Sequence, residues 1–169
     1  IDEVSVKSIL EAARWAPSCF GDQPWKFIIF QKKDALQWVN ALNCLSVGNQ
    51  NWAMDTSLLI CVCANKKFKH NGNENKWSQY DTGAASENIC LQSTYLGLAA
   101  HQMGGFDSDK IRNLANIPVE FDVMSFIAVG KPLAKKLMTN EQAEAEGSAR
   151  KRLKLNEIYF ENKWDNFEG

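Results

Sequence analysis

Apolar residues near the start of the chain recur at the spacing of one helical face, with Val6, Ile9, Leu10 and Ala13 stacking along it when a turn takes 3.6 residues. Asp2 is placed to cap that helix and Pro17 to stop it. The segment PSCFGDQPW, with two prolines and a glycine, then reads as a loop. KFIIF follows as a short buried strand, bounded by Gln31 and two lysines. A second helix is predicted over Asp34 to Asn43, where Leu36, Val39 and Leu42 recur every three residues and form its core-facing set. Gly48 to Asn51 reads as a polar turn, and SLLICVCA, unbroken in apolar character up to Asn65, as a central strand.

NKKFKHNGNENKW is rich in Asn and Lys and contains Gly72, which predicts a mobile surface loop. From Asp81 to Gln102, Ala, Leu, Ile, Cys and Tyr occupy most of the helical circumference, so a buried helix is expected, ended by Gly104-Gly105. A short helix from about Asp107 to Ala115 comes before Pro118, and DVMSFIAVG reads as a third apolar strand closed by Gly130 and Pro132. Beyond it, NEQAEAEGSARKRLKLNEIYFENKW switches from acidic to basic without a continuous core face and reads as a tail that wraps onto something. Helices interleaved with at least three strands, and long excursions between them, favour a mixed α/β (α+β) core flanked by helices.

Composition narrows the classes. The 169 residues are 45% hydrophobic and 11% aromatic, enough for one core at ordinary domain size. A formal net charge of -1 argues against nucleic-acid binding and against a membrane surface. No apolar run reaches the roughly 20 residues of a membrane helix, and the opening IDEVSVKSIL lacks the basic-then-apolar plan of a signal peptide. The cytosol is the expected compartment. The five cysteines, Cys19, Cys44, Cys61, Cys63 and Cys90, lack framework spacing and are expected to be reduced and buried. Cys61 and Cys63 share a strand face, but with only His70 and His101 in the chain a metal site lacks its usual ligands.

No segment spells a nucleophile triad, a phosphate loop or a dinucleotide GxGxxG. An enzyme of this kind would leave the hard chemistry to a cofactor. Read from the residues alone, APSCFGDQPWKF is a helix-stopping loop before a buried Trp25, and GNQNWAMD contains an ordinary turn. Likewise, the end of YDTGAASENICLQSTYLGLAAHQMGGFD is a helix C-cap, and SARKRLKLNEIYFENKW is a basic surface cluster.

Taken together and in order, these four segments resemble the nitroreductase family over nearly the whole chain, from about Asp2 to Trp164. The resemblance implies a single domain over residues 1–169. It implies a mostly antiparallel central sheet flanked by helices, with a C-terminal arm exchanged in a homodimer. It further implies FMN at the subunit interface and NAD(P)H as electron donor. Carried over, the loop residues Pro17, Ser18, Cys19 and Gln23 lie against the isoalloxazine ring, with Ser18 and Gln23 as its polar contacts. Asn49 supplies an amide to the pyrimidine side. Gln102, Met103, Gly104 and Gly105 line the ring, with the Gly104 N–H as donor to the hydride-accepting nitrogen. A Gly-Gly pair suits such a place because main chain can approach a flat ligand without a Cβ in the way.

Arg150 and Arg152 are the candidates for the phosphate, since guanidinium forks match phosphate oxygens and alternate residues of an extended chain point the same way. Lys151 and Lys154 are expected to be solvated, and Trp164 and Phe167 to be part of the apolar content of the arm. Where family members often carry Asn, this chain has Gly21, which leaves that contact to Asp22 or to main chain. The family's Arg-x-Ser-x-Arg segment is not in the sequence.

The activity implied is transfer of hydride from NAD(P)H through flavin to an electron-poor acceptor such as a nitroaromatic or quinone, with ping-pong kinetics. No side chain is assigned as a conventional acid or base. Cys19 is expected to fill space, because no adjacent His or Lys would depress its pKa. The loop from Asn65 to Gln79 is expected to set acceptor choice. Two other readings stay open: a different flavin reaction on the same scaffold, such as reductive dehalogenation or flavin breakdown, and a non-enzymatic flavin-binding protein.

Overall fold

A computed structural model describes residues 1–164. The chain divides into two compact units, Ile1–Pro132 and a second that begins at Leu133. The first unit contains a four-stranded antiparallel sheet. Its strands are β1 (Trp25–Gln31), β2 (Leu58–Asn65), β3 (Ala99–Met103) and β4 (Phe121–Gly130), in the spatial order β1-β2-β4-β3. The helices of this unit are α1 (Glu3–Arg14), α2 (Ala35–Leu42), α3 (Val47–Ala53), α4 (Ser78–Tyr95) and α5 (Ser108–Leu114).

Both faces of the sheet are covered, which is why β2 is apolar at every position before Asn65 rather than alternately. Leu58, Ile60 and Val62 enter a cluster with Val6, Ile9 and Ala13 of α1 and Ala85 and Ile89 of α4. Leu59, Cys61 and Cys63 point the other way, into a cluster with Trp38 and Ala41 of α2, Ala53 of α3 and Ile111 of α5. Period-two alternation therefore feeds two cores from one strand. Cys61 and Cys63 do share a face, with sulfurs 3.9 Å apart. All five thiols are free, and the hydrogen bond with Cys63, together with burial, pushes that of Cys61 upward.

Several expected elements form as the sequence implies. Asp2 accepts a hydrogen bond from the Ser5 amide at 2.7 Å and caps α1, and Asp34 and Asp107 cap α2 and α5 in the same way. Three expectations need correction. The polar stretch Gly48 to Asn51 is not a turn but lies within α3. In α2, Leu36 and Val39 face outward, and it is Trp38 and Ala41 that are buried. A three-residue repeat drifts around a 3.6-residue helix, so it does not define a face by itself.

The helix expected to reach Gln102 ends at Tyr95, where Gly97 turns the chain with φ 71°, and residues 99–103 form the edge strand β3. Moreover, α4 is buried on one side only. That side carries Thr82, Ala85, Ser86, Ile89 and Ser93, while Tyr80, Leu91 and Tyr95 are exposed. Ser86 Oγ donates to Thr82 O at 2.8 Å and Ser93 Oγ to Ile89 O at 2.7 Å, whereas the buried Ser78 and Thr82 hydroxyls find no partner among the described residues.

The second unit contains helix α6 (Asn140–Gly147) and two short 3-10 turns, Lys135–Leu137 and Leu155–Glu157. A reciprocal capping box between Thr139 and Gln142 starts α6. None of the residues of α6 or the two turns is buried, as expected of a segment without a core face. Phe167 lies outside the described residues. Among those residues, no helix is long and apolar enough to cross a membrane.

Candidate functional site

The loop between α1 and β1 is built by backbone conformation. Phe20, Gly21 and Gln23 all have positive φ, at 55°, 65° and 49°, which fold the segment back on itself. Glycine adopts such angles freely, whereas the two other residues are held there by their surroundings. The Gln23 amide donates to Ser18 Oγ at 3.0 Å, and Gln23 Nε2 donates to Arg14 O at 3.1 Å. The Cys19 amide donates at 2.9 Å to Oδ2 of Asp81, a buried carboxylate in the first turn of α4. Beneath the loop, Glu11 bonds both the Arg14 guanidinium and the Trp15 indole, which hold its carboxyl down to about 2.

Hydrogen-bonding capacity is left over on the loop surface. Ser18 Oγ accepts but still has its own hydroxyl hydrogen to give, and Gln23 keeps its side-chain carbonyl. Asp22 takes another course. It is buried, and its Oδ1 accepts from the Lys69 amide at 2.9 Å, so it serves the 66–75 segment rather than standing in for the missing Asn at Gly21. Lys69 Nζ completes the tie by donating to Asp22 O at 2.5 Å and Gln23 O at 3.0 Å. The segment closes as a small hairpin through the Lys67–Glu74 bridge and the Phe68–Asn73 and Gly72–Phe68 backbone bonds.

A second group of sequence-predicted residues assembles elsewhere. Asn49 of α3 donates through Nδ2 to Gly105 O at 3.0 Å, and the Ser46 amide donates to the same carbonyl at 2.9 Å. A Cβ at Gly105 would come within 2.7 Å of Ser46 Oγ and 2.9 Å of Asn49 Nδ2. A larger residue here would displace the ends of the Ser46 and Asn49 side chains, so packing inside the chain favours glycine. Gly104 differs: a Cβ would meet nothing within 4 Å, and its N–H has no partner among the described residues. Met103 is buried in the core, so its side chain faces away from any ligand on this surface. Gln102 alternates outward and bonds Glu87 at 3.4 Å.

The structure therefore gathers Pro17, Ser18, Cys19 and Gln23 in one place and Asn49, Met103, Gly104 and Gly105 in another. The first precedes β1 and the second follows β3, the strands at the two edges of the sheet. Arg150 and Arg152 belong to the second unit, where both are exposed in extended chain and Arg152 Nη1 donates to Lys151 O at 2.9 Å. Sequence reading did not single out Asp81 or Lys69. An Asp at the start of a helix was the one available signal, and its burial came only with the fold.

The chain is similar to several known proteins. A protein of Archaeoglobus fulgidus named "Putative NADH dehydrogenase/NAD(P)H nitroreductase" is 30% identical over 140 residues, covering 80% of this chain and 77% of its own length. A crystal structure described as an oxidoreductase containing FMN superposes with a TM-score of 0.88 at 32% identity, covering 98% of this chain and 84% of its own. A nitroreductase-family structure from Clostridium difficile shares the fold, with a TM-score of 0.72 at 23% identity over 97% of this chain and 88% of its own. The profile of the Nitroreductase family matches residues 1–45 and 39–131, which include both groups of candidate residues, and the chain belongs to the nitroreductase family.

Proposed function

We propose that this protein is an FMN-dependent NAD(P)H oxidoreductase that acts as a homodimer and reduces small electron-poor acceptors of the nitroaromatic or quinone type. Bound FMN would accept hydride from the nicotinamide and pass reducing equivalents to the acceptor. The protein's own residues bind, orient and exclude water. Donor and acceptor using one place in turn gives ping-pong kinetics.

The observation that carries this reading is the separation of the two residue groups onto opposite sheet edges. In this reading one planar ring draws on the two groups from two copies of the chain. The exposed side of α4, with Tyr80, Leu91 and Tyr95, is an apolar surface of the kind that subunits bury. The unused groups match a flavin edge. The Ser18 hydroxyl and the Gly104 N–H are donors for ring carbonyl or ring nitrogen, while Gln23 and Asn49 each keep a side-chain carbonyl for the ring N–H. Open space at Gly104 lets that amide approach a flat surface. Arg150 and Arg152, which form no ion pair among the described residues, would hold the phosphate. The cytosol remains the proposed compartment.

The test is an absorption spectrum of the purified protein before and after anaerobic addition of reduced nicotinamide. Flavin bands that bleach are expected. Flavin that stays oxidised would reduce the role to binding, and failure to take up FMN on reconstitution would overturn the reading.

A further inference from the structure

Beside the proposed ring-contact loop lies a cavity of about 430 Å³ lined by Phe20, Gly21, Asp22, Gln23, Lys69 and His70. Two rings, Phe20 and His70, stand at its wall, and Phe68 packs against both. Phe20 and Phe68 stand edge to face with centroids 5.7 Å apart, Phe20 and His70 are 5.3 Å apart, and Phe68 and His70 are 5.2 Å apart. The cluster gains no ordinary core burial, since Phe20 is 82% exposed and is held at a positive φ that a phenylalanine rarely adopts.

The hairpin that carries Phe68 and His70 is fixed to the loop that carries Phe20 by the Asp22–Lys69 ties. The Lys69 ammonium is held by two neutral carbonyls, and no carboxylate lies within 4.0 Å of it among the described residues. Its charge is left without an ion pair at the cavity edge, while the carboxylate in the lining, Asp22, is buried with Oδ1 on the Lys69 amide.

We infer that this cavity is a recognition subsite for the planar aromatic, anionic part of the acceptor, with Phe20 and His70 as the ring platform, backed by Phe68, and Lys69 as the attracting charge. The inference rests on the reductase reading and names the acceptor class for it: aromatic compounds bearing a carboxylate or similar anion, in preference to neutral or non-aromatic oxidants. Ring pairs of this kind prefer offset or edge-to-face geometry, which an entering flat ring completes.

Calorimetric titration of the flavin-loaded protein with 2-naphthoate and with cyclohexanecarboxylate, equal in charge but different in aromaticity, tests it. Naphthoate should bind more tightly in the wild type. Phe20→Ala should shrink that preference roughly tenfold, and Phe20→Tyr should restore it. Lys69→Gln should weaken both anions together. Phe20 is exposed, so its truncation leaves the fold intact. An equal preference in wild type and Phe20→Ala would overturn the inference, as would the absence of binding by either anion. The titration uses no nicotinamide, so its failure is distinct from a failure of the flavin to bleach.

Discussion

The two halves of the proposed ring site are held in opposite ways. The loop before β1 depends on its own backbone: three residues at positive φ, pinned by the Cys19 amide on Asp81 and by Gln23 on Arg14 and Ser18. The junction after β3 depends on packing, with Gly105 pressed against Ser46 and Asn49 and its carbonyl doubly bonded. The first half presents side chains from a shaped loop. The second presents main chain from a tightly packed corner. A site of this design is sensitive to polar deletion on one edge and to added volume on the other.

The largest expected effect is at Asp81. Asp81→Ala removes the acceptor of the Cys19 amide in a buried place, and should cost about 1–3 kcal/mol in denaturant unfolding together with flavin retention. Asp81→Asn keeps a carbonyl acceptor and should recover most of that loss. If Ala and Asn behave alike, the loop is not held by this bond.

Next comes the contrast between adjacent glycines. Gly105→Ala forces Ser46 and Asn49 to shift and should destabilise by about 1–2 kcal/mol. Gly104→Ala meets open space and should move stability by less than about 0.5 kcal/mol while slowing reduction of the flavin by nicotinamide in stopped flow. Equal stability losses at the two positions would erase the distinction between a packing glycine and a ligand-facing one.

The smallest effect sharpens the first half. At Gly21, φ 65° with nothing within 4 Å of a Cβ, alanine should cost about 1 kcal/mol from backbone strain alone. Asparagine tolerates that region better. Gly21→Asn should therefore unfold later than Gly21→Ala and bind FMN more tightly than the parent, measured by fluorescence of released flavin. Weaker flavin binding in Gly21→Asn would show that this chain has rebuilt the contact in another way.

Strong periodicity and turn chemistry made much of the fold legible. The spacing of α1, the continuous apolar run of β2 and the Pro-bounded DVMSFIAVG of β4 all act locally, so one segment suffices to read them. What failed depends on tertiary contact. α3 is rich in weak helix formers, with Val47, Gly48, Asn49 and Asn51 in its seven residues, and is fixed by the bonds that Asn49 and Ser46 make to Gly105. β3 follows α4 with only Gly97 between helical and strand-like apolar residues, and the later Gly-Gly pair is a louder stop signal. The faces of α2 and α4 were obscured because small and hydroxyl residues line the buried side of α4 and a tryptophan anchors α2. For the site, residue types were readable. The Asp22–Lys69 tie joins positions 47 residues apart, and nothing local announces it.

One feature of the sheet bears on how a large planar cofactor could enter. Every residue of β2 except Asn65 is buried, and both neighbours pair with it along its length. Its amides should exchange with deuterium only when the whole unit unfolds, whereas those of the loop before β1 and of the 66–75 hairpin, at the rim, should exchange by local opening. Protection should therefore be layered, with a slow spine and two quick margins. Loading and release of flavin would then proceed while the spine stays closed, and the off-rate would follow the opening of the margins rather than global stability.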